Sequence, residues 1–278
     1  MWGIERANLE EIAGLSQRGK TLSIVDLIEA NTISLEMAAY SLYAISCGAS
    51  ILTAARPGNA GKTTLLACLL TFIPPKSRII TISSPSVLGL LEREGIEKGT
   101  EYMLIHEIGS GPWYAYLWGR DVSRAFRMIQ PGRYLASCIH ADTLDELSGI
   151  LTSHELSVTQ EDFGKLDLIY FMCLEGNYLT GYRRRVANMY ESFGSSRRHR
   201  LLFRWDRNGD RFIKEDDSRL VEQLSSKSGR TTQHVREEIA ECERFLKELC
   251  DKGLNDFRQV RMRVLDFLDA QGWEDASS

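Results

Sequence analysis

Arg56-Pro57-Gly58-Asn59-Ala60-Gly61-Lys62-Thr63-Thr64 is the stretch that decides the fold. It follows an apolar run, Ile51-Leu52-Thr53-Ala54-Ala55, and precedes Leu65-Leu66-Ala67-Cys68-Leu69-Leu70, which reads as a helix. Strand, small-residue loop, Lys-Thr and helix, in that order, are the layout of a phosphate-binding loop. The pattern is G-x-x-x-x-G-K-[ST], and its first glycine is replaced here by Arg56. Gly58 and Gly61 are expected to let the backbone turn with its amides facing inward. Those amides, with the first turn of the following helix, offer partial positive charge to phosphate oxygens. Lys62 is spaced to reach the β- and γ-phosphates, and the Thr63 hydroxyl to ligate Mg²⁺. The alternative is an ordinary glycine-rich turn between a strand and a helix. Arg56 either redirects the loop or itself meets a phosphate. The expected nucleotide-binding set is Arg56, Pro57, Gly58, Asn59, Ala60, Gly61, Lys62, Thr63 and Thr64, with ATP and Mg²⁺ as the ligands.

The 278 residues allow one large domain or two modest ones. Apolar content of 43% suffices for a core, and a net charge of −4 gives no general attraction for nucleic acid. The six cysteines (Cys47, Cys68, Cys138, Cys173, Cys242, Cys250) form no C-x-x-C pair and no metal-like spacing with histidine. They read as buried thiols of a reducing, cytoplasmic compartment. No apolar run reaches membrane-spanning length, and Met1-Trp2-Gly3-Ile4-Glu5-Arg6 has no leader-peptide pattern. Any membrane link is therefore expected to pass through a partner, with no direct insertion.

Outward from the loop, the pattern alternates strand and helix. Residues 5–17 read as a short helix ended by Arg18-Gly19-Lys20, and 23–30 as another. Ser34 caps a stronger helix to Ile45, with Glu36 in its first turn. The first strand is 50–55, and a helix over 62–72 is stopped by Pro74-Pro75. Strands follow at 78–82, at 102–105 ending in His106-Glu107, and at 134–139. Helices are expected at 86–94 and 121–129, and from Thr143 to 152, with a Gly/Pro/aromatic loop at 108–118. Such alternation implies a parallel sheet with helices on both faces. Strands at 167–173 and 182–189 are expected to pair across Gly176–Gly181. Later, 201–205 and 211–213 flank Asn208-Gly209, read as a two-residue hairpin turn. Helices from Ser218 to 225, Thr232 to Lys252 and Asn255 to 271 complete the chain. Val235, Ile239, Cys242, Phe245, Leu246 and Leu249 share one helical face, as do Phe257, Val260, Val264, Phe267 and Leu268. The expected divisions are an N-terminal linker (1–33), a RecA-like α/β core (34–192) and a C-terminal hairpin and helical unit (193–278).

Two residues beyond the loop are candidates for chemistry. Glu107 follows an apolar strand, where a P-loop ATPase needs an acid to hold Mg²⁺ or orient water. Strand 78–82 ends instead in Ser83-Ser84-Pro85, with no carboxylate. His140 ends strand 134–139, where ligands of open α/β sheets gather, and can sense a γ-phosphate. Each has a plainer reading, as an exposed strand-end glutamate and a structural histidine. Asp206-x-Asn208-x-Asp210 imitates the start of a calcium loop, but Arg211 stands where that loop needs glycine, so a hairpin explains it better. Arg183-Arg184-Arg185 and Arg197-Arg198-His199-Arg200 read as solvated faces or a subunit contact.

With these residues quoted, the chain resembles the type II/type IV secretion ATPases, above all the archaeal branch that assembles pili and archaella. The resemblance runs from Ser23-Ile24-Val25-Asp26-Leu27-Ile28 and Thr32 to Tyr40, through the P-loop, Phe72-Ile73-Pro74-Pro75 and Ile80-Thr81-Ile82. It includes a histidine-box pattern at Ser137 to Ala141, the Arg184-Arg185-Val186 strand and Leu202-Phe203-Arg204-Trp205-Asp206, so it covers most of residues 23–270. It implies an ATP-binding RecA-like motor, a hexamer, and a membrane platform protein as partner, with the chain peripheral at the inner face. It also implies Glu107 as the acid that positions water, although another alignment puts Tyr116 there. The departures are Arg56, Ser83-Ser84 in place of acidic residues, His106-Glu107 in place of Gly-Glu, and about twenty residues ahead of the match where the family has a sizeable domain. They imply a divergent member, either a working ATPase or a nucleotide-binding regulatory subunit with little turnover.

Overall fold

The computed structural model describes residues 2–16, 21–96, 99–177, 179, 181–193, 198–215 and 220–272. The expected helix end at Arg18-Gly19-Lys20, residues 178 and 180 of the expected Gly176–Gly181 turn, Arg197 and the expected cap at Ser218 lie outside these residues.

Eleven helices and nine strands follow one another among the described residues. The strands are β1 (Ile51–Ala54), β2 (Arg78–Thr81), β3 (Glu101–Ile108), β4 (Tyr116–Leu117), β5 (Arg133–Ile139), β6 (Leu168–Asn177), β7 (Gly181–Phe193), β8 (Arg198–Asp206) and β9 (Arg211–Lys214). They form one sheet in the order β2-β3-β5-β1-β6-β7-β8-β9, with the short β4 against β3. All pairs from β2 to β6 are parallel, and β6 to β9 continue as an antiparallel meander. This is the α/β fold with a mostly parallel sheet that the alternation implied.

The parallel half is covered on both sides, which explains its nearly continuous apolar strands. Within β1, Ile51 joins one apolar cluster, while Leu52 and Ala54 join the other. One cluster gathers α1 (Trp2–Gly14), α2 (Ile24–Glu29), α3 (Leu35–Ser46) and α4 (Lys62–Leu70). The other gathers α5 (Pro85–Arg93), α6 (Arg120–Arg127), α7 (Leu144–Leu151) and α8 (Gln160–Phe163). Local chemistry starts several of these helices. Ser23 and Asp26 form a reciprocal capping box on α2, and the Ser34 hydroxyl accepts from the Met37 amide at the start of α3. Asn8 of α1 closes the β2 edge of the sheet: it donates to the Ser77 carbonyl at 2.8 Å and accepts from the Ile79 amide at 2.9 Å.

The C-terminal helices are α9 (Leu220–Ser228), α10 (Thr232–Asp251) and α11 (Phe257–Ala270). The predicted stripe on α10 is buried at Val235, Cys242, Leu246 and Leu249, in the same cluster as α3 and α4. Phe245 of α10 stacks on Phe267 of α11 with ring centroids 4.4 Å apart. Arg261 of α11, only 1% exposed, donates to both carboxylate oxygens of Glu5 at 3.0 Å and to the Thr71 carbonyl at 3.1 Å. A buried guanidinium thus ties α1 and α11 to the residues that follow α4. Among the described residues, no helix is long and apolar enough to cross a membrane.

Two local expectations need correction. The strand expected to end in His106-Glu107 runs on to Ile108, because β4 rises from the aromatic loop and pairs Glu107 with Tyr116 and Ile108 with Leu117. The register of β3 against β5 slips between Ile105 and Ile108. Asn208-Gly209 is not a two-residue turn: Asp206 pairs with Arg211, leaving a four-residue loop whose left-handed residue is Asp210 (φ 45°). The Asp206 carboxylate dictates that path by accepting from the Asn208 amide at 3.2 Å and the Arg211 Nε at 3.0 Å.

Candidate functional site

Strands β1, β3 and β5 point their carboxyl ends at one cavity of about 730 Å³. The loop after β1 forms its floor. Gly61 is the residue before α4 and has φ 98°, a left-handed conformation that glycine adopts without penalty. The other left-handed residue is Asn59 at φ 61°. Gly58, expected to share the turning, does not have positive φ, and a Cβ there would meet open space. The turn therefore depends on Asn59 and Gly61.

Lys62 opens α4 and is 7% exposed. Its Nζ donates to the Ala55 carbonyl at 3.1 Å, and lies 3.1 Å from His140 Nδ1 and 3.3 Å from Glu107 Oε1. Its own carbonyl accepts from Thr53 Oγ1 at 3.2 Å. Glu107, 6% exposed, comes from β3; β5, which carries His140 just past its end, lies between β3 and β1. His140 Nε2 is 3.5 Å from the same Glu107 oxygen, and that oxygen is buried without a well-formed hydrogen bond. The structure thus brings together Lys62 from the start of α4, Glu107 from β3 and His140 from just past the end of β5. Pro57 through Thr64 also line the cavity.

Arg56 goes elsewhere. Its guanidinium bonds Glu146 of α7 and lies 3.6 Å from Asp142 Oδ2, outside the residues that line the cavity. The Glu146 hydrogen bond raises the Arg56 pKa above its usual value. The Arg56 φ is not positive, so no glycine is needed at this first position. Ser83 is exposed at the end of β2, and no carboxylate of that segment reaches the cavity. Among the described residues, Glu107 and Asp26 are the carboxylates lining it.

Thr63 lies over the thiol of Cys138, whose Sγ is 4.0 Å from the threonine hydroxyl and 3.1 Å from Thr53 Oγ1. Burial pushes that thiol up to about 12, so it packs as an inert neutral group. Tyr116, beside Glu107 in the β3–β4 pair, has its phenol pushed up by burial and then by the glutamate charge.

Sequence reasoning set aside Arg183, Arg184 and Arg185, and all three line the cavity. Arg184 on β7 donates from Nε to the Asn59 carbonyl at 2.8 Å. A Cβ added to Gly61 would lie 3.3 Å from its Cδ. Its neighbours are engaged by acids: Arg185 donates to both Asp210 oxygens at 2.8 Å, and Arg183 lies near Glu175 and Asp210. Alternation along β7 explains the split. Asp210 accepts from Arg185 and also from Trp205 Nε1 at 3.0 Å.

No metal-like cluster of three His, Cys, Asp or Glu occurs among the described residues. The donor set nevertheless fits a nucleotide with Mg²⁺. Mg²⁺ takes few protein ligands and most of its shell from phosphate and water, and the under-bonded Glu107 oxygen and the Thr63 hydroxyl flank the lysine.

No family model matches the chain. The uncharacterized protein MJ1287 of Methanocaldococcus jannaschii is 25% identical over 265 residues, spanning 87% of this chain and 96% of its own length. The uncharacterized protein MJ0900 of the same organism is 24% identical over 284 residues, spanning 89% of this chain and 49% of its own. The chain therefore spans about half the length of that second relative. Among solved structures, the Legionella pneumophila ATPase DotB is similar at 12% identity and a TM-score of 0.38, over 77% of this chain and 58% of DotB.

Proposed function

We propose that this chain binds ATP with Mg²⁺ at Pro57–Thr64 and hydrolyses it slowly, as a divergent relative of the secretion and pilus-assembly ATPases it resembles. The observation that carries the proposal is the meeting of Lys62, Glu107 and His140 at the start of α4, beside amides that turn on Asn59 and Gly61. Bound Mg-ATP supplies the phosphoanhydride and the metal charge. Lys62 exchanges its contacts with Glu107 and Ala55 for phosphate oxygens. Thr63 offers its hydroxyl to Mg²⁺, and Glu107, once released from Lys62, orients water and takes its proton. His140, half-exposed at 53%, contacts the γ-phosphate.

A second reading is a nucleotide-binding subunit with a regulatory or assembly role. It is favoured by Ser83-Ser84, which leave Glu107 without a companion acid at the reacting end. The resemblance supports a hexamer and a membrane platform protein as partner in either case.

Equilibrium titration with a fluorescent ATP analogue tests the shared part of both readings. Micromolar binding that weakens at least about tenfold without Mg²⁺ is expected, since the metal neutralises phosphate charge. Absence of binding with Mg²⁺ present removes both readings. Mass measurement with the bound analogue then tests the ring: six copies are expected, and a persistent monomer counts against it.

A further inference from the structure

The sequence left Arg56 with two roles, a redirected loop or a phosphate contact. The structure points to a third. Three separate groups of Arg56 reach the short segment that follows β5. Its amide donates to Asp142 Oδ1 at 2.7 Å. Its carbonyl lies 2.9 Å from His140 Nδ1. Its guanidinium bonds Glu146 and approaches Asp142. The segment is braced from within as well: the Asp142 amide donates to Glu146 Oε2 at 2.9 Å, and the Glu146 amide donates to Thr143 Oγ1 at 3.1 Å, capping α7.

We propose that Arg56 is a positioning residue for His140, clamping the mouth of the phosphate loop to the His140–Glu146 segment through Asp142 and Glu146. A glycine at position 56 supplies the amide and the carbonyl but not the guanidinium. The side chain adds a third attachment, to Glu146, to this pair of backbone contacts. Exposed ion pairs add little stability by themselves, so the consequence is geometric. His140 Nδ1 can donate to the Arg56 carbonyl in one tautomer and accept from Lys62 Nζ in the other. Holding Arg56 against Glu146 keeps the imidazole within reach of both, and of Glu107. Arg56 thereby fixes the histidine beside the lysine. The purpose of the clamp rests on the proposed role of His140 at the γ-phosphate, whereas the clamp itself is testable without nucleotide.

The test is the NMR ring spectrum of the five histidines in the full chain, with the His140 signal assigned by its loss in H140Q. The wild type is expected to give one narrow His140 ring resonance. Arg56→Gly, Arg56→Met and, independently, Glu146→Gln are expected to displace or broaden it. Arg56→Lys, which keeps a cation against Glu146, is expected to restore it. Melting temperatures should stay close to wild type in all four. An unchanged His140 resonance in R56G, R56M and E146Q overturns the clamp. A change that R56K fails to restore also overturns it, as does one seen only in variants whose melting temperature collapses. If the wild type binds no ATP analogue, the nucleotide reading fails while the outcome of this comparison stands.

Discussion

Lys62 Nζ lies 3.3 Å from Glu107 Oε1, with both side chains less than a tenth exposed. The cation and the acid of the candidate site thus hold each other. Neutralising the acid leaves a buried ammonium with the Ala55 carbonyl and His140 alone. Losing one partner of a buried pair costs about 3–5 kcal/mol, and the remaining contacts reduce that to roughly 2 kcal/mol for Glu107→Gln. At ~2–4 °C per kcal/mol, the melting temperature should fall by about 4–8 °C. Any ATP turnover should drop at least about 100-fold while nucleotide binding persists. Calorimetry and a phosphate-release assay check the two effects separately, and unchanged turnover in E107Q removes the catalytic role.

The two glycines of the loop should respond oppositely. Gly61 has φ 98°, and a Cβ there would lie 3.3 Å from Arg184 Cδ and 3.4 Å from Met172 Cε. Gly61→Ala should cost about 1–2 kcal/mol from left-handed strain. Gly58 lacks positive φ and has room for a Cβ, so Gly58→Ala should be neutral or stabilise by up to about 1 kcal/mol. Thermal unfolding of both variants decides, and equal destabilisation would contradict the assignment of the turn.

Arg184 hangs over the loop from the Asn59 carbonyl with no carboxylate partner among the described residues. A charge-assisted bond to phosphate contributes about 1.5–3 kcal/mol, so Arg184→Ala should weaken ATP-analogue binding roughly tenfold or more. Arg204→Ala on β8, whose partner is Glu215, serves as the charge-matched control. Equal losses in the two variants would reduce the effect to general charge.

Acid should loosen the β6–β8 region through His199. Its Nε2 lies 2.7 Å from the Leu166 carbonyl, its ring packs on Phe163, and burial pulls its pKa from 6.5 down to about 4. The unfolded chain therefore binds the proton more readily. The stability is fully present above about pH 6.5 and is lost as pH falls towards 4, by about 2 kcal/mol between pH 7 and pH 5. Melting curves over that range check the slope, which His199→Gln should flatten. A slope unchanged in H199Q would assign the acid sensitivity to other groups.

The sequence made the parts of the site with local grammar legible. Gly61-Lys62-Thr63 between a strand and a helix is a contiguous pattern, and Glu107 and His140 stand at the ends of apolar runs. What escaped depends on neighbours distant in sequence. The extension of β3 past Glu107 goes with β4, a two-residue strand too short for any periodicity. The four-residue α8, started by the Thr159 cap, escaped for the same reason. Alternation predicted that Arg184 would face away from Arg183 and Arg185, but not that Asn59 would lie on that side. The destination of Arg56 depended on Asp142 and Glu146, which a list of loop residues does not contain.

The most direct test measures ATP-analogue binding and ATP turnover for wild type and Lys62→Ala side by side. Wild type is expected to bind in the micromolar range with slow but measurable phosphate release, and K62A to lose both. Wild-type binding without turnover would leave the nucleotide-binding regulator in place of the ATPase. Binding that is absent from wild type, or undiminished in K62A, would contradict the claim that the loop at Lys62 is a nucleotide site.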